Sequence, residues 1–131
     1  MKKTKKLTEA EWDIMECVWQ LSRSVTVREV HERLYPQGQK AYTTVQTTMN
    51  ILADKGFLKK EKIGMVNFYT PTLSRAHFAK RETHTFVSRI FKGSFGALAH
   101  YLVQSGRLSP EELEHLRGLI DEKEKNRGGQ S

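Results

Sequence analysis

The chain has 131 residues and a formal net charge of +7, with 22 Lys and Arg against 15 Asp and Glu. This length suits one small domain with an appendage, and no apolar run is long enough for a membrane span or a signal peptide. Its one cysteine, Cys17, excludes an internal disulfide framework and a cysteine-based metal site. We therefore expect a soluble cytoplasmic protein whose basic charge favours a polyanionic partner, although a membrane surface or RNA would satisfy the charge alone.

A lysine-rich arm precedes a helix with a complete start signal. Residues 1–6 are predicted to form a flexible basic arm, which either contacts a polyanion or only keeps the chain soluble. In the segment Leu7-Thr8-Glu9-Ala10-Glu11-Trp12, Thr8 is suited to cap a helix and Glu11 to close a capping box three residues later. We therefore expect helix 1 to begin here and to continue with a broad apolar face.

The second helix begins with the same device. Thr26 is suited to cap it, and Glu29 stands three residues later, where a capping box requires an acidic side chain. Pro36 disfavours helical conformation at the residue before it, so the helix is predicted to end near Tyr35. Helix 2 is therefore expected to be short.

Residues 42–55 have the pattern of a recognition helix. Val45, Met49 and Leu52 recur at helical spacing and predict a narrow buried stripe, while Gly56 suits a left-handed C-terminal cap. The opposite face carries uncharged hydrogen-bonding side chains, whereas an ordinary solvated face usually mixes in Glu and Lys. These side chains are Thr43, Gln46, Thr47 and Asn50. Such a face suits a DNA major groove, although tertiary packing alone also tolerates a Thr-rich helix.

A basic hairpin is predicted to follow the recognition helix. Residues 57–63 and 66–70 have the pattern of two strands joined by a turn at Gly64 and Met65. The hairpin carries the lysines Lys59, Lys60 and Lys62. We interpret it as a wing whose lysines lie along a phosphate backbone, where contacts position a protein without reading sequence. The alternative is that these lysines only blunt an exposed sheet edge.

From residue 73 onward the pattern is helical. Helices are predicted from Ser74 to Lys92, from Ser94 to about Gln104, and after a third capping box at Ser109, with a disordered tail over residues 125–131. The large apolar residues of this part are too few to enclose a core of their own. Residues 73–124 are therefore predicted to be a dimerisation domain that a second copy covers. The residues assigned to that contact are Phe86, Ile90, Leu98, Leu102, Leu113, Leu116 and Ile120.

This order of elements predicts a mainly α protein with a small antiparallel β-hairpin. A winged helix-turn-helix DNA-binding domain would occupy residues 7–72, followed by the all-helical dimerisation domain. The chain resembles the penicillinase and methicillin-resistance repressors, the BlaI/MecI-type winged-helix transcriptional regulators. The resemblance spans roughly Leu7 to Glu124. Its motifs are Leu7-Thr8-Glu9-Ala10-Glu11-Trp12 with Trp19, residues 27–34, Ala41-Tyr42-Thr43-Thr44-Val45-Gln46-Thr47 and Asp54-Lys55-Gly56.

The resemblance implies a homodimer that represses a promoter until a membrane sensor-protease signals antibiotic stress and the repressor is cleaved. Tyr101-Leu102 stands where well-known members carry the Asn-Phe pair at which they are cleaved, so the resemblance does not extend to that pair. Related copper-responsive repressors carry a C-terminal cysteine cluster, and this chain has no cysteine after Cys17. Gln46 and Ile51 replace the Arg or Lys that many members carry in the recognition helix.

The predicted function is a sequence-specific DNA-binding transcriptional regulator, most simply a homodimeric repressor of a palindromic operator. Gln46 and Asn50 have amides suited to adenine, and Thr43 and Thr47 can contact thymine methyl groups, so base readout is assigned to these four. Contacts to the DNA backbone are assigned to Tyr42, Thr44, Lys40, Lys59, Lys60 and Lys62, although packing in the core is the favoured alternative for Tyr42. The alternative is a winged-helix protein-interaction module without sequence-specific DNA binding, whose exposed helix face should carry aromatic, Met or Arg anchors.

Catalysis, cofactors and metals are not predicted. The sequence has no HExxH motif, no Gly-rich phosphate loop and no nucleophile in a recognisable setting. His77 and His84 share a face of one helix, and in a dimer they would be the candidate for a metal site. Two surface histidines at helical spacing are much more often only that. No direct membrane association is predicted either.

Overall fold

The computed structural model of the chain describes residues 6–129. Within them, six helices and a two-stranded antiparallel hairpin follow one another as α1 (Glu9–Leu21), α2 (Val27–Leu34), α3 (Tyr42–Asp54), β1 (Leu58–Ile63), β2 (Val66–Pro71), α4 (Arg75–Ile90), α5 (Phe95–Gln104) and α6 (Pro110–Gly129). The predicted fold class and element order are confirmed. Residues 1–5 of the predicted basic arm and residues 130–131 of the predicted tail lie outside the described part.

Three helices begin at the predicted capping boxes. The pairs are Thr8 with Glu11, Thr26 with Glu29, and Ser109 with Glu112. In each pair the hydroxyl accepts the backbone N–H of the acidic residue, at 3.0 to 3.2 Å, and the carboxylate accepts the N–H of the capping residue. Losing such a cap costs about 1 kcal/mol, so these helix starts are fixed by residues close together in sequence.

Helix α3 ends in a Schellman motif centred on Gly56. Gly56 has a φ of 89°, its N–H donates to the Ala53 carbonyl at 3.0 Å, and the N–H of Phe57 donates to the Leu52 carbonyl at 2.9 Å. The predicted left-handed cap is therefore present. Phe57, which the sequence placed in β1, instead closes this motif with a buried ring.

The chain divides into two compact units, one ending at Lys80 and the other beginning at Arg81. The core of the first unit is formed by buried apolar residues of α1, α2, α3 and the hairpin, including the predicted stripe of Val45, Met49 and Leu52. Cys17 belongs to this core, and burial raises the pKa of its thiol. Phe78 of α4 is also buried in it, so the unit extends beyond residue 72, where the sequence placed the domain boundary.

The first unit holds the start of α4 through aromatic and polar contacts. The ring of Phe78 lies 5.4 Å from each of Trp12 and Trp19, and the indole of Trp19 donates to the Leu73 carbonyl at 3.0 Å. The Trp12–Phe78 pair is edge-on, an arrangement that adds to the free energy gained by burying the two rings. The first turn of α4 is thus part of the core of the first unit.

The hairpin has two different faces because opposite residues of an antiparallel pair share a side of the sheet. Lys60 pairs with Tyr69, and Leu58 and Tyr69 are buried, so this face packs on the helices. Val25 extends the sheet by one bridge to Tyr69, with N–H to carbonyl distances of 2.8 and 2.9 Å. The turn needs Gly64, whose φ of 67° is unfavourable for other residues.

In the second unit the described residues include a single buried one, Val87. Helix α4 ends at Ile90, two residues before the predicted end, because Lys92 and Gly93 adopt left-handed conformations. Helix α6 continues to Gly129 and so includes residues 125–129, which the sequence assigned to a disordered tail. Those residues, Lys-Asn-Arg-Gly-Gly, contain no apolar side chain larger than glycine and so show no apolar periodicity, which is why the pattern did not indicate a helix there.

Candidate nucleic-acid interface

The N-terminal half of α3 presents the uncharged surface that the sequence predicted. Thr43 and Thr47 are exposed and Gln46 is half-buried, on the side opposite the buried stripe. The first turn of the helix has no acidic residue. Asp54 lies on the same side but at the far end, so an approaching polyanion would meet the N-terminal half without repulsion from it.

The start of α3 suits an anionic group. Its N-cap residue is Ala41, whose side chain makes no capping hydrogen bond, whereas α1 and α2 begin with hydroxyl caps and acidic first turns. Unbonded N–H groups and the helix dipole favour negative charge at such an end. Tyr42 is 44% exposed, and Thr44 is exposed beside it. Both residues assigned to backbone contacts at this end are therefore accessible.

The segment between α2 and α3 is held by contacts around His31. The Nε2 atom of His31 donates to the Lys40 carbonyl at 2.7 Å, and its ring lies 6.0 Å from Tyr42 and 6.3 Å from Tyr35. The ammonium of Lys40 lies 5.6 Å from the centre of the Tyr35 ring, which is within cation–π range. Lys40 is thus exposed at the start of α3 and anchored through its backbone.

The three wing lysines are all exposed, but they do not share one side of the hairpin. Lys60 and Lys62 lie on the face that contains the buried Tyr69, next to α3, whereas Lys59 lies on the outer face with Glu61. From the sequence, all three lysines are expected to contact the DNA backbone in the same way. The register separates Lys62, which lies near the tip on the side of α3, from Lys59, which faces away from it.

Asn50 differs from the other three residues assigned to base readout. Like Gln46 it is half-buried, but its Oδ1 atom accepts hydrogen bonds from Lys60 Nζ at 3.0 Å and from the Tyr69 hydroxyl at 2.8 Å. Burial raises the pKa of Tyr69, and the nearby Tyr42 raises it further, so the phenol remains a donor at neutral pH. The structure therefore brings Thr43, Gln46 and Thr47 together on an open surface and joins Asn50 to the wing.

A buried ion pair that sequence reasoning missed fixes the C-terminal end of α3. Lys55 Nζ lies 2.7 Å from Glu11 Oε1 and 3.0 Å from the carbonyl of Lys6, and Glu11 is 4% exposed. Burial raises the pKa of Glu11, but the hydrogen bonds from Lys55 and from the Thr8 N–H outweigh it and hold the pKa below its usual range. From the sequence, Glu11 is expected only to close the capping box of α1, and its ion pair with Lys55 is not indicated.

The basic charge lies mainly in the first unit. Residues 1–80 contain 14 Lys and Arg against 8 Asp and Glu, whereas residues 81–131 contain 8 against 7. The excess of positive charge is therefore in the same unit as the exposed face of α3 and the wing. A polyanion would be attracted to this unit at long range.

The chain matches one known protein family over nearly its whole length. The family model described as penicillinase repressor matches residues 7–122, which includes both units almost completely. The chain belongs to the penicillinase repressor family. This confirms the predicted family, whose members are transcriptional repressors and not enzymes.

Relatives of known name support the same family along the whole chain. The penicillinase repressor of Bacillus licheniformis is 30% identical over 127 residues, covering 97% of this chain and 98% of the relative. The methicillin resistance regulatory protein MecI of Mammaliicoccus sciuri is 25% identical over 121 residues, covering 92% of this chain and 98% of the relative. Among solved structures, the DNA binding domain of the repressor BlaI matches with a TM-score of 0.50 and 33% identity, over 58% of this chain and 92% of that domain.

The described residues of this penicillinase repressor family chain lack two other kinds of site. Within residues 6–129, no helix is long and apolar enough to cross a membrane. In the same range, no group of three or more His, Cys, Asp or Glu side chains is arranged to hold a metal ion, and His77 and His84 are both exposed. The exposed, uncharged face of α3 beside the basic wing is the candidate functional site.

Proposed function

We propose that this chain is a cytoplasmic homodimeric repressor that binds a palindromic operator through α3 and the wing. The proposal rests on one observation: in a chain of a repressor family, the N-terminal half of α3 presents an open surface without charged side chains. Gln46, Thr43 and Thr47 are then the base-reading residues, and an operator half-site with A·T pairs at the positions they read is expected. An amide suits adenine, and Thr methyl groups suit thymine.

In vitro selection of random duplex DNA by the purified protein, at about physiological salt, tests this function. A palindromic consensus with half-sites about one helical turn apart is the expected result, because a two-fold dimer presents two copies of α3. A bound pool without any consensus would refute sequence-specific recognition. In that case the winged helix would be a protein-interaction module, the second candidate function.

The salt dependence of operator binding tests the role of the wing. We propose that Lys62, on the same side as α3, contacts a phosphate, so Lys62→Ala should weaken binding to all sequences and lower the salt slope by about 1. Lys59→Ala is the matched control because it removes the same charge from the opposite face of the same strand. Equal changes of slope in the two variants would contradict this assignment.

The second unit supports the proposal of a dimer. Its apolar side chains are largely uncovered in the single chain, with Val87 as the one buried residue among those described. Of the seven residues assigned to dimerisation, Phe86, Ile90, Leu102, Leu116 and Ile120 are exposed and Leu98 and Leu113 half-buried. An apolar surface of this kind is usually covered by a partner, and a second copy is the simplest one.

Sedimentation at micromolar concentration tests the dimer. We expect the mass of two chains, and we expect Ile120→Lys to give the mass of one chain because it introduces a charge into the apolar stripe of α6. Glu122→Lys is the control, since Glu122 lies away from that stripe on the same helix. A wild-type mass equal to one chain would refute the dimer.

A protease that relieves repression is the further partner that the family resemblance implies. The bond between Tyr101 and Leu102 lies inside α5, and the two carbonyl groups accept hydrogen bonds from the N–H and hydroxyl of Ser105. Cleavage at this bond therefore requires local opening of α5.

A further inference from the structure

One amide oxygen joins the recognition helix to both strands of the wing. Asn50 Oδ1 accepts from Lys60 of β1 at 3.0 Å and from the hydroxyl of Tyr69 of β2 at 2.8 Å. Lys60 and Tyr69 are themselves opposite each other in the hairpin, and Tyr69 is 1% exposed. Asn50 therefore has one buried partner, Tyr69, and one exposed partner, Lys60.

These hydrogen bonds conflict with a role for Asn50 in reading adenine. To bind adenine bidentately, the amide oxygen must accept from N6 while the NH₂ group donates to N7. A carbonyl oxygen has two lone pairs, and here both are directed at donors of the wing. Reading a base would leave the buried hydroxyl of Tyr69 without its acceptor, which is unfavourable.

We propose that Asn50 is a positioning residue that locks the wing to α3, so that helix and wing meet DNA as one rigid surface. We call the two hydrogen bonds of Asn50 Oδ1, to Lys60 and to Tyr69, the lock. The lock is present in the protein without DNA, whereas its effect on operator binding rests on the proposed function. Lys60 takes part through one of the three N–H donors of its ammonium group. Lys62 carries the proposed phosphate contact. Asn50 thus sets affinity through the wing and not through a base.

A double-mutant cycle on unfolding tests the lock without DNA. Asn50→Ala and Tyr69→Phe should each raise the unfolding equilibrium constant about tenfold, and the double variant should be hardly worse than one of them because both remove the same hydrogen bond. Asn50→Asp keeps an oxygen acceptor, so Tyr69→Phe should retain its effect in that background. Additive effects of Asn50→Ala and Tyr69→Phe would overturn the proposal.

Ser24 provides a matched control for this cycle. Its hydroxyl lies 2.6 Å from that of Thr70, and Thr70 lies on the opposite face of β2 from Tyr69, which bonds to Asn50. Ser24→Ala should therefore add to Asn50→Ala within error. Tryptophan fluorescence follows all these variants, because Trp12 and Trp19 both lie in the first unit.

In vitro selection separates positioning from base reading. The pool selected by Asn50→Ala should keep the wild-type consensus with weaker binding, whereas Gln46→Ala should lose the preference at one base pair of each half-site. A preference lost at one base pair in Asn50→Ala would show that Asn50 reads a base and would overturn the proposal. If the wild type selects no consensus, the proposed function fails, and the cycle on unfolding still decides whether the lock exists.

Discussion

Replacing Lys55 by methionine should destabilise the first unit by about 2 kcal/mol at neutral pH. The ammonium of Lys55 lies 2.7 Å from the carboxylate of Glu11, whose side chain is 5% exposed. Without the ammonium group of Lys55, the described donor that remains for the buried carboxylate of Glu11 is the N–H of Thr8. Breaking a fully buried pair costs about 3 to 5 kcal/mol. The side chain of Lys55 is 27% exposed, so solvent screening reduces this expected loss to about 2 kcal/mol.

The variant should also change how stability depends on pH. The folded pKa of Glu11 is below its unfolded value, so the folded state binds fewer protons in acid and its stability falls as pH falls through the folded pKa. This contribution is fully present above the ordinary glutamate pKa of about 4.3. In Lys55→Met the burial of Glu11 is opposed mainly by Thr8, so the loss of stability between pH 7 and acid should be smaller than in wild type.

Urea unfolding followed by tryptophan fluorescence measures both effects, at one fixed protein concentration because the proposed dimer makes stability depend on it. Lys59→Met is the control, since it removes an exposed lysine of the same unit and should change the unfolding free energy by less than about 0.5 kcal/mol. A Lys55→Met variant as stable as this control would refute the argument that the ion pair fixes the end of α3.

Three further predictions concern readout, backbone and surface charge. Gln46→Ala should weaken operator binding and cost about 1 to 3 kcal/mol of discrimination at one base pair, measured by competition with mismatched operators. Gly56→Ala forces a side chain into a φ of 89° and should destabilise by about 1 to 3 kcal/mol in urea unfolding, whereas Gly96→Ala, inside α5 with no contact closer than 3.8 Å, should not destabilise thermal unfolding followed by circular dichroism. Glu16→Gln removes the charge of the exposed pair with Arg75 and should leave the unfolding transition followed by fluorescence nearly unchanged, and a clear loss would show that this pair is strongly coupled to the core.

The features that the sequence predicted correctly depend on residues close together in the chain. A capping box needs two residues three apart, and Gly56 follows directly on the helix that it terminates, so composition and spacing suffice. The stripe of Val45, Met49 and Leu52 is equally local because one helical period determines which side is buried. These signals, in order, were enough for the fold class.

The features that the sequence missed depend on contacts between distant residues. Lys55 and Glu11 are 44 residues apart, and neither α1 nor α3 shows by its own pattern that the two ends meet. Asn50 shares a helix face with Gln46, but only the register of the hairpin brings Tyr69 and Lys60 to it. The place of Phe78 was missed for the same reason. The pattern of its helix indicates the C-terminal unit, whereas its ring packs in the core of the first unit.

Helix α3 is held at three places by residues outside the proposed base-reading surface of Thr43, Gln46 and Thr47. His31 fixes the backbone before its start, Asn50 binds the wing, and Lys55 binds Glu11 at its end. A change at any of them should tilt or loosen the whole surface, because the exposed residues of a rigid helix move together. Such changes should therefore alter affinity for every operator alike, whereas a change at Gln46 should alter the preferred sequence. The proposed roles thus predict that residues setting how strongly DNA is bound can be separated by mutation from those setting which DNA is bound.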